Sequence, residues 1–169
     1  NFDNRYLLQA NVRYDGSSRF HSDYRWGVFP SFSAGWVMSE EAFMKNTDID
    51  WLSFLKLRAS AGLINIDNIP EEAYWQEIYT GGSNYFFDSS YGGTMSSYKL
   101  SKLAALNSTH EKAYKYNAGI DATLWGGLDI TLDGYYQRRS DIWVSTKGKY
   151  SAVIGFESPY ENGGIVDSW

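Results

Sequence analysis

The sequence predicts an all-β fold in which long antiparallel strands carry one apolar and one polar face, as in the wall of a transmembrane β-barrel. Three observations predict it. Aromatics are in excess, with 14 Tyr, 9 Phe and 7 Trp in 169 residues beside 16 Gly and only 3 Pro, a composition that suits strands and turns. The stretch YNAGIDATLWGGLDITLDGYYQRRSDIW (116–143) alternates with period two. Tyr116, Ala118, Ile120, Ala122 and Leu124, then Leu128, Ile130, Leu132, Gly134 and Tyr136 share one face. Asn117, Gly119, Asp121 and Thr123, then Asp129, Thr131, Asp133, Tyr135 and Gln137 share the other. Finally, long aromatic connections (15–25, 64–113 and 144–160) contrast with the minimal Trp125-Gly126-Gly127, the asymmetry of outer loops and inner turns.

The elements follow in order. The first strand is 5–15, with Tyr6, Leu8, Ala10, Val12 and Tyr14 against Leu7, Gln9, Asn11, Arg13 and Asp15. The second is 25–37, with Trp26, Val28, Pro30, Phe32, Ala34 and Trp36 on its apolar side; Pro30 cannot donate to a ladder and predicts a bulge or a locally unpaired position. A short helix is expected near 39–45, with Ser39 as N-cap and Glu40 and Glu41 in the first turn, where the helix dipole favours acid. It sits on the short-turn side and is the exception there. The third strand is 54–63. The irregular 64–113 region carries a candidate hairpin around 74–79 and 84–91. Two strands lie within 116–143, and 144–164 leads to a further strand. Trp36 and Trp125 fall at inner strand ends, Trp26 and Trp143 at outer ends, matching two interfacial girdles.

Charge and composition exclude several classes. A net charge of −5 and no basic run argue against nucleic acid. Without Cys there is no disulfide, thiolate metal site or Cys nucleophile. No run of 18 apolar residues exists, so no transmembrane helix is predicted. Alternating strands average to nothing on a hydropathy scale, so the mean hydropathy of −0.43 does not exclude a barrel. The chain opens on Asn1 rather than Met, and is expected to be a piece of a longer protein.

Asp121, Asp129, Asp133, Asp141 and Glu111 are the carboxylates that catalysis would need. The Asp residues recur at strand spacing on the polar face, so they are expected to line a wet lumen with Asn11, Arg13, Lys56 and Arg58, and no enzyme is predicted. Lys56 and Arg58 are expected to neutralise Asp121 or Asp133 from a neighbouring strand. His21 and His110 have no companion at metal spacing and are expected to be solvated loop residues. NTDIDW and NIDNIPEE lack calcium-loop spacing and read as turns and a cap, so no cofactor is expected. Arg138 and Arg139 are expected to snorkel toward headgroups. Tyr74, Trp75, Tyr79, Tyr85, Phe86, Phe87 and Tyr91 form the candidate ligand-contact loop, since aromatic faces stack on sugar rings and Tyr hydroxyls serve polar ligands. Two other classes stay open: a soluble β-sandwich glycan-binding module, with the apolar face as its core, and a secreted glycoside hydrolase.

RYLLQANVRYDGSSRF (5–20), RWGVFPSFSAGWVMSEEAFMK (25–45), WLSFLKLRASAGL (51–63) and YKYNAGIDATLWGGLDITLDGYYQRRSDI (114–142) resemble the C-terminal barrel half of SusC/RagA-type TonB-dependent transporters. The resemblance covers about two thirds of the chain in one order. It departs at GLINIDNIPEEAYW, where the family has a Gly-Asn turn. It departs again at LNSTHEKAYKYN, where Glu111 keeps the family's Glu and His110 replaces an aromatic. The resemblance implies a 22-stranded outer-membrane barrel of a Bacteroidetes-type Gram-negative bacterium, importing glycans or oligopeptides. It also implies a SusD-like surface lipoprotein, outer-membrane lipid and the TonB system as partners. Residues 1–169 would then be a partial barrel domain, with plug, TonB box and N-terminal domain outside them.

Overall fold

The computed structural model describes residues 1–47, 49–67, 69, 75–86, 94–146, 148, 149, 151, 153, 155 and 158–169. Six long strands form one antiparallel sheet in the order β1-β2-β3-β8-β9-β10. They are β1 (Tyr6–Gly16), β2 (Trp26–Val37), β3 (Leu52–Ile66), β8 (Glu111–Leu124), β9 (Leu128–Ser145) and β10 (Tyr160–Ser168). Between β3 and β8 the chain makes two nested ladders. β4 (Ile78–Gly81) pairs with β7 (Tyr98–Lys102), and β5 (Tyr85–Phe86) with β6 (Thr94–Met95). The expected hairpin between 74–79 and 84–91 is therefore replaced by pairings of wider span.

Register explains why the sheet has two faces. Direct partners across antiparallel strands share a side. One row runs Tyr6, Trp36, Leu57, Ile120 and Leu132; the next runs Leu8, Ala34, Ala59, Ala118 and Gly134; a third runs Ala10, Phe32, Ala61, Tyr116 and Tyr136. The alternation read within single strands thus lines up across five of them. Many of these side chains stand in the open, with Leu8 79%, Leu132 64% and Phe32 58% exposed. Among the described residues no second sheet packs on this face, as a sandwich would need. At 14 and 18 residues, β8 and β9 exceed the 9–11 that a tilted strand needs to cross a bilayer. Among the described residues no helix is long and apolar enough to cross a membrane.

The inner connection of β2 to β3 holds a 3₁₀ turn (Met38–Glu40) and one α-helical turn, α1 (Ala42–Lys45). The cap residue of α1 is Glu41, not Ser39. Its carboxylate makes no bond to the helix backbone, because it is engaged elsewhere: it accepts from Tyr6 Oη at 2.5 Å, Trp36 Nε1 at 3.0 Å and Arg5 Nη1 at 3.1 Å. The unpaired position expected at Pro30 occurs on its β3 side. Pro30 stays opposite Val12 of β1, while the ladder to β3 starts one residue later at Ser31 and Gly62.

Burial concentrates at the outer end. Phe20 of the first outer loop is fully buried and packs with Ile69, Ala105, Trp143 and Tyr160. The loops therefore carry their own small core on top of the wall.

Candidate functional site

The polar face is the reverse of the apolar rows. Its inner part is self-neutralised. Arg58 of β3 reaches Asp121 of β8 with Nε at 3.0 Å and Asp133 of β9 with Nη2 at 3.0 Å. Thr131 donates to Asp121 at 3.2 Å and Thr123 to Asp129 at 2.6 Å. Gly119 lies between Arg58 and Asp133 in register, and a Cβ there would stand 2.4 Å from Asp133 Oδ1. The glycine is what lets the guanidinium bridge across β8. Of the two cations expected to pair with these carboxylates, only Arg58 does so. Lys56 is opposite Asp121 in register, but its chain passes over Gly35, and it makes no ion pair among the described residues.

Farther out, Asn11 and Arg13 also lie on the polar face, with Arg13 paired to Asp15 at 2.9 Å. Arg139 is on this face too and donates through Nε to the buried Glu111 at 2.6 Å. That corrects its expected membrane-facing role: consecutive strand residues point to opposite sides, so only Arg138 joins Tyr136 on the apolar side.

His110 is not a solvated loop residue. It is 2% exposed, stacks edge-on against Phe20 at 4.4 Å and Phe29 at 6.0 Å, and Nε2 lies 2.7 Å from the Arg25 carbonyl. An aromatic ring that carries a hydrogen-bonding edge suits a core bounded by a backbone carbonyl. His21 keeps a surface place, 3.5 Å from Asp23 and edge-on to Trp75 at 5.9 Å. Among the described residues no cluster of His, Asp and Glu is arranged to hold a metal.

Of the aromatic loop, Tyr74, Phe87 and Tyr91 lie outside the described residues. Trp75 is half-buried beside His21. Tyr79 of β4 is 60% exposed and donates to Glu77 at 2.8 Å; Tyr85 of β5 is 59% exposed, and Phe86 follows it in the same strand.

Of the four tryptophans expected to form girdles, three lie at strand ends and one does not. Trp26 is exposed at an outer end and stacks on Tyr14 at 4.9 Å. Trp36 and Trp125 sit at inner ends, the latter 70% exposed. Trp143 departs from expectation. Asp141 adopts φ 58° and the β9–β10 register slips between Asn162 and Gly164, so the outer end of β9 bends away. Trp143 then joins the loop core, stacked on Phe20 at 6.4 Å. Three further residues hold the structure together. Trp51 is 52% exposed, and its carbonyl accepts from Trp125 N–H at 2.8 Å, so the two lie side by side at the inner end. Glu41 ties the inner ends of β1 and β2, and Asn162 ties β10 to the loop before β8. A Trp just ahead of an apolar strand was a signal for the first; Glu41 was read only as a first-turn acid and Asn162 gave no signal, because Tyr6, Arg5 and Thr109 are remote in sequence.

Comparison with known proteins follows this geometry. The chain is 38% identical over 145 residues, 85% of its length, to the TonB-dependent receptor SusC of Bacteroides thetaiotaomicron. It is 31% identical over 162 residues, 95% of its length, to the TonB-dependent receptor P39 of Formosa agariphila. It spans about 14% of the length of each. Among solved structures it is similar to the RagAB peptide transporter, with a TM-score of 0.79 and 26% identity, covering 98% of this chain and 17% of that one. It is equally similar to the RagAB peptide importer in its open-open state, with a TM-score of 0.81 and 25% identity, covering 99% and 17%. No family model matches the chain.

Proposed function

Since the chain belongs to the SusC/RagA type of TonB-dependent receptors, we propose that its six long strands are adjacent wall strands of an outer-membrane importer in a Bacteroidetes-type bacterium. Residues 1–169 are then one part of a larger barrel domain. The apolar rows face lipid. The Arg58, Asp121 and Asp133 face lines the lumen. Solute is captured at the outer loops beneath a SusD-like lipoprotein and admitted by a TonB-driven movement of a plug outside these residues. Trp75, Tyr79 and Tyr85 belong to the capture surface in this reading. The cargo is a glycan or an oligopeptide. The segment supplies wall and contact surface, with no catalytic role.

One observation carries this reading: the apolar side chains of five strands fall into register on one uncovered face, from Leu8 to Leu132. A soluble sandwich would bury that face, at roughly 1.5–3 kcal/mol for each large side chain. Only lipid or an equally apolar partner removes the same cost here. The test is fractionation of cells expressing the full-length protein. Resistance of the membrane pellet to salt and carbonate, with a gel mobility that changes on boiling, is the expected result. Release into the soluble fraction would overturn the reading.

A further inference from the structure

The polar face is not uniform, and the difference points to a binding position. Its inner zone is tied up by Arg58 with Asp121 and Asp133, and its outer zone by Arg13 with Asp15 and Arg139 with Glu111. Outward of Arg58 lies an open cleft of about 520 Å³, lined in part by Gln9, Asn11, Ser31, Ser33 and Ser60 and bordered by the mutually paired Arg13 and Asp15. None of these side chains has a hydrogen-bond partner among the described residues, and Asn65 Oδ1, at the same cleft, is buried without one. Lys115 projects into this neutral field. Its register partners are Gly62 on β3 and Gln137 on β9, neither of them acidic. Gly62 has no side chain to cover it, and Lys115 is exposed. Lys56, which likewise makes no ion pair among the described residues, has Asp121 opposite. The remaining uncompensated charge of the cleft is Asp67, which accepts from Ser17 at 3.0 Å at its outer rim. It lies five residues beyond Gly62, or about 17 Å along an extended chain, too far to neutralise Lys115.

We propose that this cleft is a solute subsite in which the Lys115 ammonium holds a carboxylate of the translocated molecule, while the surrounding amides and hydroxyls exchange hydrogen bonds with its polar body. An ammonium is a compact donor of three hydrogen bonds that suits a carboxylate arriving from any direction. Unpaired amides and hydroxyls cost nothing while wet and are repaid when a polar ligand replaces water. The solute is then an acidic oligosaccharide or a peptide with a free carboxylate, and not a neutral glycan. This rests on the importer reading, and deepens it.

The test places a reporter thiol at Ser60→Cys in the full-length protein, with any other cysteine replaced. Ser60 is a diagonal neighbour of Lys115, about 7–8 Å away across the β3–β8 pair. Outer-membrane preparations that pass the heat-mobility criterion are labelled with sulfonatoethyl, trimethylammonium-ethyl and methyl methanethiosulfonates. Lys115→Gln is expected to slow the sulfonate reagent about threefold and speed the ammonium reagent by a similar factor. Lys115→Glu doubles the effect, and the neutral reagent is unmoved. Triglutamate or trigalacturonate should slow sulfonate labelling in the lysine protein and not in Lys115→Gln; whichever competes names the source of the carboxylate. An unchanged ratio, no competition by either, or a thiol closed even to the methyl reagent would each overturn the subsite. The last result would mean that another part of the protein fills the cleft. Protein absent from the heat-modifiable fraction would instead sink the importer reading, and the subsite with it.

Discussion

Asn162 of β10 meets the backbone of Thr109 in both directions: its Oδ1 accepts from Thr109 N–H at 3.0 Å and its Nδ2 donates to Thr109 O at 3.0 Å. The same Nδ2 donates to Asp141 O at 2.6 Å, at the point where β9 takes its positive φ. One amide thus stands in for a strand edge and holds the outer end of the wall to the loop before β8. Asn162→Ala should lower stability by about 2–3 kcal/mol, from three lost bonds to backbone groups that lose their partners. Asn162→Asp should cost at least as much, because both carbonyls would then face an acceptor. The midpoint of the heat-mobility transition measures both.

Glu41 links the inner ends of β1 and β2 through Tyr6, Trp36 and Arg5. The hydrogen bond from Tyr6, then that from Trp36, holds its carboxyl below the ordinary 4.5. A depressed acid contributes stability above its unfolded value and loses it as pH falls through its folded value. The turn over 38–47 should therefore keep slow amide exchange from neutral pH down to about the ordinary value, then loosen as pH drops further. Glu41→Gln should remove that pH response, since a neutral amide accepts hydrogen bonds without titrating. A wild-type turn whose intrinsic-rate-corrected exchange stays flat across the acid range would refute the link.

Ala118 and Asn117 are neighbours on β8 that face opposite sides. Arg at position 118 puts a charge in the middle of the apolar rows, and should cost about 2–4 kcal/mol if that face meets lipid. Arg at position 117 enters the wet side and should cost little. Equal losses of folded, heat-modifiable protein for Ala118→Arg and Asn117→Arg would mean that the faces are misassigned.

Trp125 occupies the first position of the inner turn with φ 48°, followed by Gly126 at 66°. Gly127 N–H closes the turn onto Leu124 O at 3.1 Å. Both central positions have positive φ, as a tight hairpin that follows the strand twist requires. Trp125→Val should destabilise the hairpin by about 1–2 kcal/mol beyond the loss of the indole, because a β-branched residue resists the left-handed region. Trp125→Gly should relieve the backbone and lose only the exposed indole. A thermal-transition midpoint that ranks Val above Gly would contradict this.

Much of the fold was legible because strand alternation is local. Tyr6 to Tyr14, Trp26 to Trp36, Leu55 to Leu63 and the pair within 116–143 each declare their faces from a few residues, and the two positive-φ positions of the inner turn are met by a Gly and one tolerated Trp. The Asp121 and Asp133 face could be assigned as polar on the same ground. Ser39 failed as a cap because a 3₁₀ turn (Met38–Glu40) takes its place and the helix starts only after Glu41, whose carboxylate is held by residues of β1 and β2.

The sequence by itself determined the all-β class, the two-faced strands and their order of appearance, since each depends on side chains within one turn or one strand. Tertiary structure alone decided which carboxylates Arg58 bridges, 63 and 75 residues away. It also buried His110 against Phe20 and Phe29, drew Trp143 from the girdle into the loop core, and left Lys115 among neutral neighbours. The reason is register. Period two tells a side chain which face it occupies, but only pairing between distant strands sets its neighbours there.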